Sequence, residues 1–256
     1  MSKQFFSIYF IFTSLILFAA TANANPGQYQ INSACIDSGC FTGDNPATKT
    51  IEITLSSGTF VLTSDIVFTD VDNGDPAILI NNVNNASKIT IDLNGYSIRH
   101  SGIANSSTYG IRITGQNSVV SIKNGNIIAF YDGVLASSGA VVHIENMRFR
   151  IQRDDAIELS TGVIKNNIFD SNGYAINAFN ATNTASDRLY IDSNYFISDS
   201  GDQIVGFSMS TNNFCKDNMV GYPDTNNFQS CTLVGNNMCD TGPCTASSIQ
   251  VNEQKE

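Results

Sequence analysis

The stretch HIENMRF (His143–Phe149) decides the fold, because close variants of it recur along the chain. Its order of an apolar residue, a polar residue, a turn residue and a second apolar pair returns in SIKNGNI (Ser121–Ile127), IKNNIF (Ile164–Phe169) and IDSNYF (Ile191–Phe196). A period of about 20–28 residues, with short β-branched strands separated by polar turns, is typical of a solenoid. We therefore expect an all-β fold that is built from stacked repeats.

A second short apolar segment precedes each of these stretches. Its copies are GIRITG, GVLASSG, AIELSTG, AINAF and QIVGF, which begin at Gly110, Gly133, Ala156, Ala175 and Gln203. Stacking pairs each strand with its copy in the next repeat, in parallel, so that equivalent residues form columns. Alternation along the strand predicts that Ile111, Val134, Ile157 and Ile176 point inward and that Arg112, Leu135, Glu158 and Asn177 point outward. The same reasoning predicts an inward column of Phe149, Phe169 and Phe196 and a turn column of Asn124, Asn146, Asn166 and Ser193.

The N-terminus has the pattern of a secretory signal peptide. Lys3 precedes an apolar stretch from Phe5 to Ala20, and Ala22-Asn23-Ala24 forms a small-x-small cleavage signal. We expect cleavage after Ala24 and export to the periplasm or the extracellular space. No later segment is long and apolar enough to span a membrane. The expected organisation is a signal peptide over 1–24, an N-terminal cap and first coil over 25–76, coils over 77–222, and a C-terminal cap and tail over 223–256.

All six cysteines follow the expected cleavage point, which predicts an oxidising compartment. Six cysteines allow fifteen pairings. We favour the short loops Cys35–Cys40 and Cys239–Cys244, which leave Cys215–Cys231 as the third disulfide. Metal binding by these thiols is the weaker interpretation, because the chain has no paired CxxC. The disulfides are expected to hold end caps that cover the exposed strand edges.

The charge of the chain is unevenly distributed. The net charge is −10 at pH 7, yet residues 88–165 hold eight basic residues against six acidic ones. This balance argues against nucleic acid as a partner. A polyanionic glycan could dock only at the middle of the chain or through a bound cation.

One column of charged residues is interpreted as structural. The outward residues that follow Ile91, Ile122, Ile144, Ile164 and Ile191 alternate in sign, and neighbours in such a column lie about 4.8 Å apart. Opposite charges at that spacing attract weakly and oppose a slip in register. Arg150 and Asp170 share another outward column, which an ion pair explains. We name as the charge ladder Asp92, Lys123, Glu145, Lys165 and Asp192.

The two histidines give no sign of a catalytic site. His143 aligns with Ser121 and Val163, and His100 lies at a repeat edge without a visible partner. A histidine-based metal site or a nucleophile–histidine triad would need aligned partners.

The stretch RDDAIELS (Arg153–Ser160) carries the charges that the ladder does not explain. Alignment of Ile157 with Val134 places Asp155 over Asp132 and Asp154 over Tyr131. Aspartates are ordinary turn residues, because their side chains bond to the local backbone. Two columns of like charge nevertheless repel. Either a calcium ion held by Asp132, Asp154 and Asp155 or a raised pKa on one carboxyl would relieve that repulsion.

Aromatic and basic side chains near the same turns are candidates for substrate binding. Tyr109, Tyr131 and Tyr174 lie near corresponding turns and could form a stacking strip with Arg112 and Arg153, although tyrosines at such turns also serve in packing. The chain has no tryptophan, the residue that usually supplies a sugar-binding face. Two further candidates for substrate binding are Glu158 and Arg148.

Two further stretches resemble a known family. TIDLNGYSI (Thr90–Ile98) is similar to a conserved coil of bacterial exported β-helix proteins, and CIDSGCFTGDNP (Cys35–Pro46) is similar to the cysteine-bearing cap before it. The likeness covers about residues 31–244. It implies a right-handed parallel β-helix of the pectate-lyase-like type, of about six to seven coils with disulfide-bearing end caps. It says little about activity, because this architecture hosts lyases, hydrolases, adhesins and inert coats.

RDDAIEL (Arg153–Leu159) also resembles the Asp-Asp motif of polygalacturonases. That resemblance implies that Asp154 and Asp155 are the acid and base, with Arg153 beside them. The rest of the family's pattern is missing: the preceding repeat has no Asn-x-Asp, and no Gly-His-Gly or Arg-x-Lys follows. A pectate- or alginate-lyase would instead need an arginine or lysine base beside a calcium cluster. Arg112, Arg148 and Arg153 are the arginines left for that role.

Two classes of function remain. The first is an exported protein, expected to be a monomer, that binds a polysaccharide along one flank, either without cleaving it or with cleavage as a lyase or a glycoside hydrolase. The second is a non-catalytic envelope or surface protein, either an adhesin or a structural rod. The missing motifs and the acidic surface suit the second class, whereas the central tyrosines, arginines and aspartates suit the first.

Overall fold

The computed structural model describes most of the chain after the first 26 residues. The described ranges are 27–69, 74–81, 87–102, 107–137, 139–178, 188–197, 204–206, 213–221, 231–239 and 242–244. The predicted signal peptide lies outside them.

The described residues are almost entirely β-strand. The two short helices are α1 (Cys35–Ser38) and a 3-10 turn (Pro46–Thr48). The strands are β1 (Gln28–Ile31), β2 (Ile51–Ile53), β3 (Ser57–Leu62), β4 (Ile66–Phe68), β5 (Pro76–Ile80), β6 (Lys88–Asp92), β7 (Ser97–His100), β8 (Tyr109–Ile113), β9 (Val119–Ile128), β10 (Asp132–Ala136), β11 (Val141–Arg150), β12 (Asp155–Glu158), β13 (Gly162–Lys165), β14 (Ile168–Asp170), β15 (Tyr174–Ala178), β16 (Leu189–Asp192), β17 (Tyr195–Phe196), β18 (Ile204–Gly206), β19 (Asn213–Lys216), β20 (Met219–Val220), β21 (Cys231–Val234), β22 (Met238–Cys239) and β23 (Gly242–Pro243).

The strands form two large sheets. One has sixteen strands with the main order β1-β3-β6-β9-β11-β14-β17-β20-β22-β23, and the other has seven in the order β18-β15-β12-β10-β8-β5-β2. Pairing is parallel throughout, apart from the antiparallel pair of β22 and β23. A repeat supplies one strand to the seven-stranded sheet and then either a pair to the sixteen-stranded sheet, as β12, β13 and β14 do, or one long strand, as β10 and β11 do. The chain is therefore an all-β protein with extensive parallel sheets.

A left-handed residue recurs in the larger sheet, inside the long strands β9 and β11 and between the paired strands β13 and β14 and β16 and β17. Asn124, Asn146, Asn166 and Ser193 have φ angles of 60°, 55°, 55° and 56°. Asparagine tolerates this conformation better than most residues, because its short polar side chain bonds locally. The predicted turn column therefore forms, and the chain bends at the same place in each repeat.

Inward side chains stack in columns between the sheets. Phe169 lies between Phe149 and Phe196, with ring centroids 5.4 Å and 4.9 Å away and planes within 9° of parallel. Ile111, Val134, Ile157 and Ile176 are fully buried, as predicted. Their outward neighbours Arg112, Leu135, Glu158 and Asn177 are only half-buried. The alternation of the sequence thus predicts the facing of these eight residues correctly.

A ladder of buried asparagines, which the sequence analysis does not predict, follows the left-handed turns. Each side chain accepts a hydrogen bond from the backbone amide of the equivalent residue one repeat earlier and donates one to a main-chain carbonyl. Side-chain bonds of 3.0–3.1 Å also join successive amides. The ladder satisfies backbone groups that the bend would otherwise leave without partners. Its members are Asn167, Asn194, Asn218 and Asn237.

The charge ladder is in register as predicted. Asp92, Lys123, Glu145, Lys165 and Asp192 pair along successive strands, and Lys216 extends the column. Ion pairs join Lys123 to Asp92 at 3.8 Å and Lys165 to Asp192 at 3.5 Å. These partly exposed pairs contribute little stability, so their main effect is on register.

His100 differs from its expected position at a repeat edge without a partner. It is 8 % exposed and packs against the rings of Phe68 and Phe130 at 6.2 Å and 5.8 Å. Its Nδ1 lies 3.2 Å from the carbonyl oxygen of Gly102. His100 is therefore a core residue of the N-terminal repeats. His143 is exposed between Ser121 and Val163, as expected.

The cysteines form the three favoured disulfides, Cys35–Cys40, Cys215–Cys231 and Cys239–Cys244. They lie in the first and last repeats of the described chain and are compatible with an exported protein. Within the described ranges, no helix has the length and apolar composition that crossing a membrane requires.

Candidate functional site

Three carboxyl groups meet at two neighbouring strands of the seven-stranded sheet. Asp132 begins β10, and Asp155 and Glu158 are the first and last residues of the adjacent β12. One oxygen of each carboxyl lies within 4.8 Å of the others. Asp132 and Asp155 are each 4 % exposed. We call Asp132, Asp155 and Glu158 the acidic cluster.

The close approach of β10 and β12 depends on small residues beside the aspartates. A Cβ atom placed on Gly133 would collide with the carbonyl oxygen of Ala156 and lie 2.9 Å from the ring of Phe149. A glycine at 133 therefore lets the backbone of β10 lie directly against β12 and the core. The preceding residue, Asp132, is brought against Asp155 as a result.

Hydrogen bonds fix the two buried aspartates. The backbone amide of Asp155 donates to Oδ1 of Asp132 at 3.1 Å, and Nδ2 of Asn177 donates to Oδ2 of Asp155 at 2.9 Å. In the described structure, Oδ1 of Asp155 and Oδ1 of Asn177 are buried without a hydrogen-bond partner. Burying an unpaired polar atom is costly, so these two oxygens are suited to receive a proton or a cation.

Burial shifts the protonation of the cluster. Loss of hydration raises the pKa of Asp132 to about 8 and that of Asp155 to about 7, and neighbouring carboxylates add to both shifts. The same two causes raise the pKa of Glu158. Near neutral pH the cluster therefore holds protons that exposed carboxyl groups would have lost.

Asp154 and Arg153, which the sequence assigned to catalysis, lie at the rim of the cluster. The carboxylate of Asp154 hydrogen-bonds to the Tyr131 hydroxyl, which is the largest cause of a rise in the Tyr131 pKa to about 12. Asp154 raises the pKa of the cluster carboxyls by its charge, but among the described residues it is Glu158 that completes the close group. Arg153 is exposed, and its amide donates to the carbonyl of Phe130.

The tyrosines proposed for substrate binding do not form one strip. Tyr109 and Tyr174 lie in the same column as the two aspartates, in the order Tyr109, Asp132, Asp155, Tyr174. Tyr131 lies one residue earlier, beside Asp154. Tyr174 is 38 % exposed. An aromatic ring thus stands at each end of the aspartate pair.

The two candidate binding arginines are far apart. Arg112 packs over the ring of Tyr109 at 5.2 Å and belongs to the column that continues through Leu135 to Glu158. Arg148 lies on β11 in the other sheet, where its guanidinium pairs with Asp170. Arg112 is therefore close to the site, whereas Arg148 is not.

The arrangement supports two kinds of chemistry. Oxygen atoms of Asp132, Asp155 and Glu158, with the amide oxygen of Asn177, are the hard ligands that calcium prefers. Without a cation, the protonated aspartate can donate a proton and its ionised neighbour can accept one or attack an electrophilic carbon.

Asn177 is the site residue that sequence reasoning missed. It was predicted only to face outward in the same column as Glu158, and the structure confirms that register. Asn177 follows Glu158 in one outward column, and this signal in the sequence indicates an amide close to the carboxyl groups. Adjacent amide and carboxylate side chains are common on protein surfaces, so this pattern alone does not identify Asn177 as a site residue.

Comparisons of the chain with models of known protein families, with curated proteins and with solved structures gave no match.

Proposed function

We propose that the chain is an exported right-handed parallel β-helix that binds a polysaccharide across the acidic cluster and hydrolyses it there. The alternation of strands between two parallel sheets supports the coil, and the handedness follows the strong preference of parallel crossovers. The three disulfides support export.

The observation that carries the hydrolytic proposal is the pairing of Asp132 and Asp155 in one buried column between Tyr109 and Tyr174. Rings at both ends of a carboxyl pair are suited to stack against successive sugars. Arg112, beside Tyr109, adds a positive charge that suits an acidic sugar.

In this mechanism Asp132, whose pKa is about 8, donates a proton to the glycosidic oxygen. Asp155 or Glu158, in its ionised form, stabilises or attacks the anomeric carbon. Carboxyl oxygens within 4.8 Å of each other leave little room for the water that an inverting enzyme needs between its carboxyls. We therefore assign a retaining course, with a covalent glycosyl intermediate that water resolves.

The test is incubation of the mature protein with pectate, alginate and neutral glycans, with and without calcium. We expect new reducing ends without absorbance of unsaturated uronates. Asp155→Asn should abolish them, whereas the matched variant Asp154→Asn, one residue outside the acidic cluster, should retain most of the activity. Unsaturated products would indicate a lyase instead, and the absence of both products would refute cleavage.

A second candidate is a non-catalytic surface rod. The burial of Asp132 and Asp155 to 4 % exposure favours it, because a substrate must reach them to be cleaved. A glycan array separates the candidates, since a passive rod shows no saturable binding. If binding occurs, Tyr174→Ala should weaken it, because this ring is the exposed end of the site.

A further inference from the structure

One outward column of the sixteen-stranded sheet changes from polar to apolar along the stack. Its first members are polar: Ser97, Asn126 and Arg148. The next four are large and apolar, in register from strand to strand. These four, the apolar column, are Ile168, Tyr195, Met219 and Met238, and they are 37 %, 39 %, 53 % and 43 % exposed.

The apolar column is not required by the core. The next residue on each of the first three strands, Phe169, Phe196 and Val220, points inward and is fully or almost fully buried. These strands are therefore apolar on both faces. A contiguous row of exposed apolar side chains rimmed by charges is typical of an interaction surface.

Alternating charges run beside the apolar column. Lys165, Asp192 and Lys216 lie three residues before Ile168, Tyr195 and Met219, across the left-handed turn. Val234, 44 % exposed, continues this row next to Lys216. Asn166, at the left-handed turn, and Ile168 line the same surface groove, so the apolar column begins directly beside the turn.

We propose that a second copy of this chain covers the apolar column, related to the first by a twofold axis that passes between Tyr195 and Met219. In this arrangement Ile168 faces Met238 of the other copy, and Tyr195 faces its Met219. In the row beside it, Asp192 faces Lys216 of the other copy, and the reverse contact repeats the pair.

The charged row and the apolar column together select this register, because an axis between Ile168 and Tyr195 also pairs opposite charges but would set Met219 against Arg148. An axis through Asp192 would set that carboxylate against itself and Lys165 against Lys216, which like-charge repulsion disfavours. The axis between Tyr195 and Met219 pairs apolar with apolar in one row and opposite charges at both central positions of the other. Such self-complementarity is the property of an isologous dimer interface.

The area predicts a weak dimer. A large apolar side chain offers about 150–250 Å² when fully exposed, so the four members of the apolar column and Val234 together offer roughly 400 Å² per copy. This is half of the ~800 Å² per partner of a standard interface, and the flanking charged and amide side chains supply part of the rest. We expect a dissociation constant on the order of micromolar.

The interface and the acidic cluster lie on different sheets, so the dimer does not depend on the proposed hydrolytic function. The expectation of a monomer did not take the residues of the apolar column into account. Outward positions alternate with core positions along every one of these strands. The pairing register between strands is what shows that the outward apolar residues are neighbours.

Sedimentation of the full mature chain over about 1–200 µM tests the proposal. The wild-type protein should shift from monomer to dimer, and Met219→Lys should remain monomeric. The matched control is Val119→Lys, which charges a side chain that is 41 % exposed on the same sheet outside the apolar column. It should dimerise like the wild type. A monomeric wild-type protein overturns the proposal and leaves the face to a different partner, and equal loss in both variants also overturns it.

Charge reversal tests the register of the dimer. Lys216→Asp should raise the dissociation constant about 10-fold or more, because it sets like charges against each other. The double variant Asp192→Lys with Lys216→Asp should restore the dissociation constant, because it places opposite charges against each other again, both within one copy and between the two copies. Circular dichroism establishes that each variant is folded. If the double variant is as weak as the single one, this register is wrong.

Discussion

The backbone amide of Asp155 donates a hydrogen bond to the carboxyl of Asp132, on the strand beside it, at 3.1 Å. This bond places two acidic side chains, each 4 % exposed, in successive rungs of one column. Ordinary solvated aspartates would repel at that spacing. The consequences of the pair for stability can be measured directly.

Stability of the metal-free protein should fall as pH rises. The folded-state pKa values of Asp132 and Asp155, about 8 and about 7, lie above the unfolded value near 3.8. The folded chain therefore holds more protons, and the stabilising contribution is complete below pH ~4 and is lost as pH rises through 7 to 8. The slope should not exceed ~1.4 kcal/mol per pH unit for each group.

Urea denaturation in EDTA at several pH values measures this slope. Asp132→Asn should flatten it, because the amide does not titrate. Asp37→Asn, at an exposed position paired with Lys49, should leave it unchanged. A wild-type protein whose stability increases between pH 6 and pH 8 would contradict the protonated cluster.

Calcium should stabilise the folded chain. The cation would use the carboxylates of the acidic cluster and should raise Tm reversibly, by an amount equivalent to about 2.7 kcal/mol at a concentration 100 times the Kd. Chelation should reverse the shift. Because protons and calcium compete for the same oxygens, the effect should be larger at pH 8 than at pH 6. Asp155→Asn should remove most of it, and an equal shift in that variant would place the ion elsewhere.

The asparagine ladder should be sensitive to single substitutions. Asn194→Ala removes the acceptor for the amide of Asn167 and the donor to the carbonyl of Ile164, so it leaves two buried groups unpaired. The cost should be about 2–5 kcal/mol of unfolding free energy. Asn166→Gly, at the left-handed turn with φ of 55°, should change stability by under about 0.5 kcal/mol. If both variants lose a similar amount of unfolding free energy, the buried asparagines do not stabilise the fold through these hydrogen bonds.

The approach of β10 to β12 should depend on Gly133. Gly133→Ala adds a Cβ against the carbonyl of Ala156 and the ring of Phe149, which should cost about 1–3 kcal/mol and displace Asp132. In the metal-free protein the pH slope should become shallower as the aspartates separate. Ala156→Gly, the reverse change one rung away, should lower stability by about 1 kcal/mol without altering that slope. If the pH slope of stability is unchanged in Gly133→Ala, Gly133 does not control the spacing of the two aspartates.

Sequence periodicity predicted the columns well. The register of Val134 with Ile157 and of Phe149 with Phe169 follows from aligning the repeats. It works because a strand can change register only by moving its apolar residues to the wrong face. The sequence alone therefore predicts which residues of successive strands are neighbours in a column.

The buried asparagines were missed for a different reason. Asn167, Asn194 and Asn218 each follow a left-handed residue, and it is that preceding residue which recurs most clearly in the sequence. In the preceding repeat Met147 occupies the equivalent position, so the second column is incomplete in sequence. Side-chain direction at a bend, rather than alternation, decides which amide is buried.

The composition of the acidic cluster also depended on local geometry. Alternation puts Asp155 and Glu158 on opposite faces, yet their carboxyls lie together. Ala156 and Ile157 are both fully buried, so the strand departs from simple alternation between them. The sequence identified Asp132 and Asp155 as neighbours, but Glu158 enters the group only through that departure.

The last strand of the described chain, β23, returns antiparallel onto β22. Because β23 occupies the edge of β22, a further parallel strand cannot pair with β22 there unless β23 is displaced. An extra repeat inserted between internal strands would instead meet the same aromatic and amide positions on both sides. Internal duplication therefore preserves more of the existing contacts than extension at β22 when this architecture is lengthened, in evolution or by engineering.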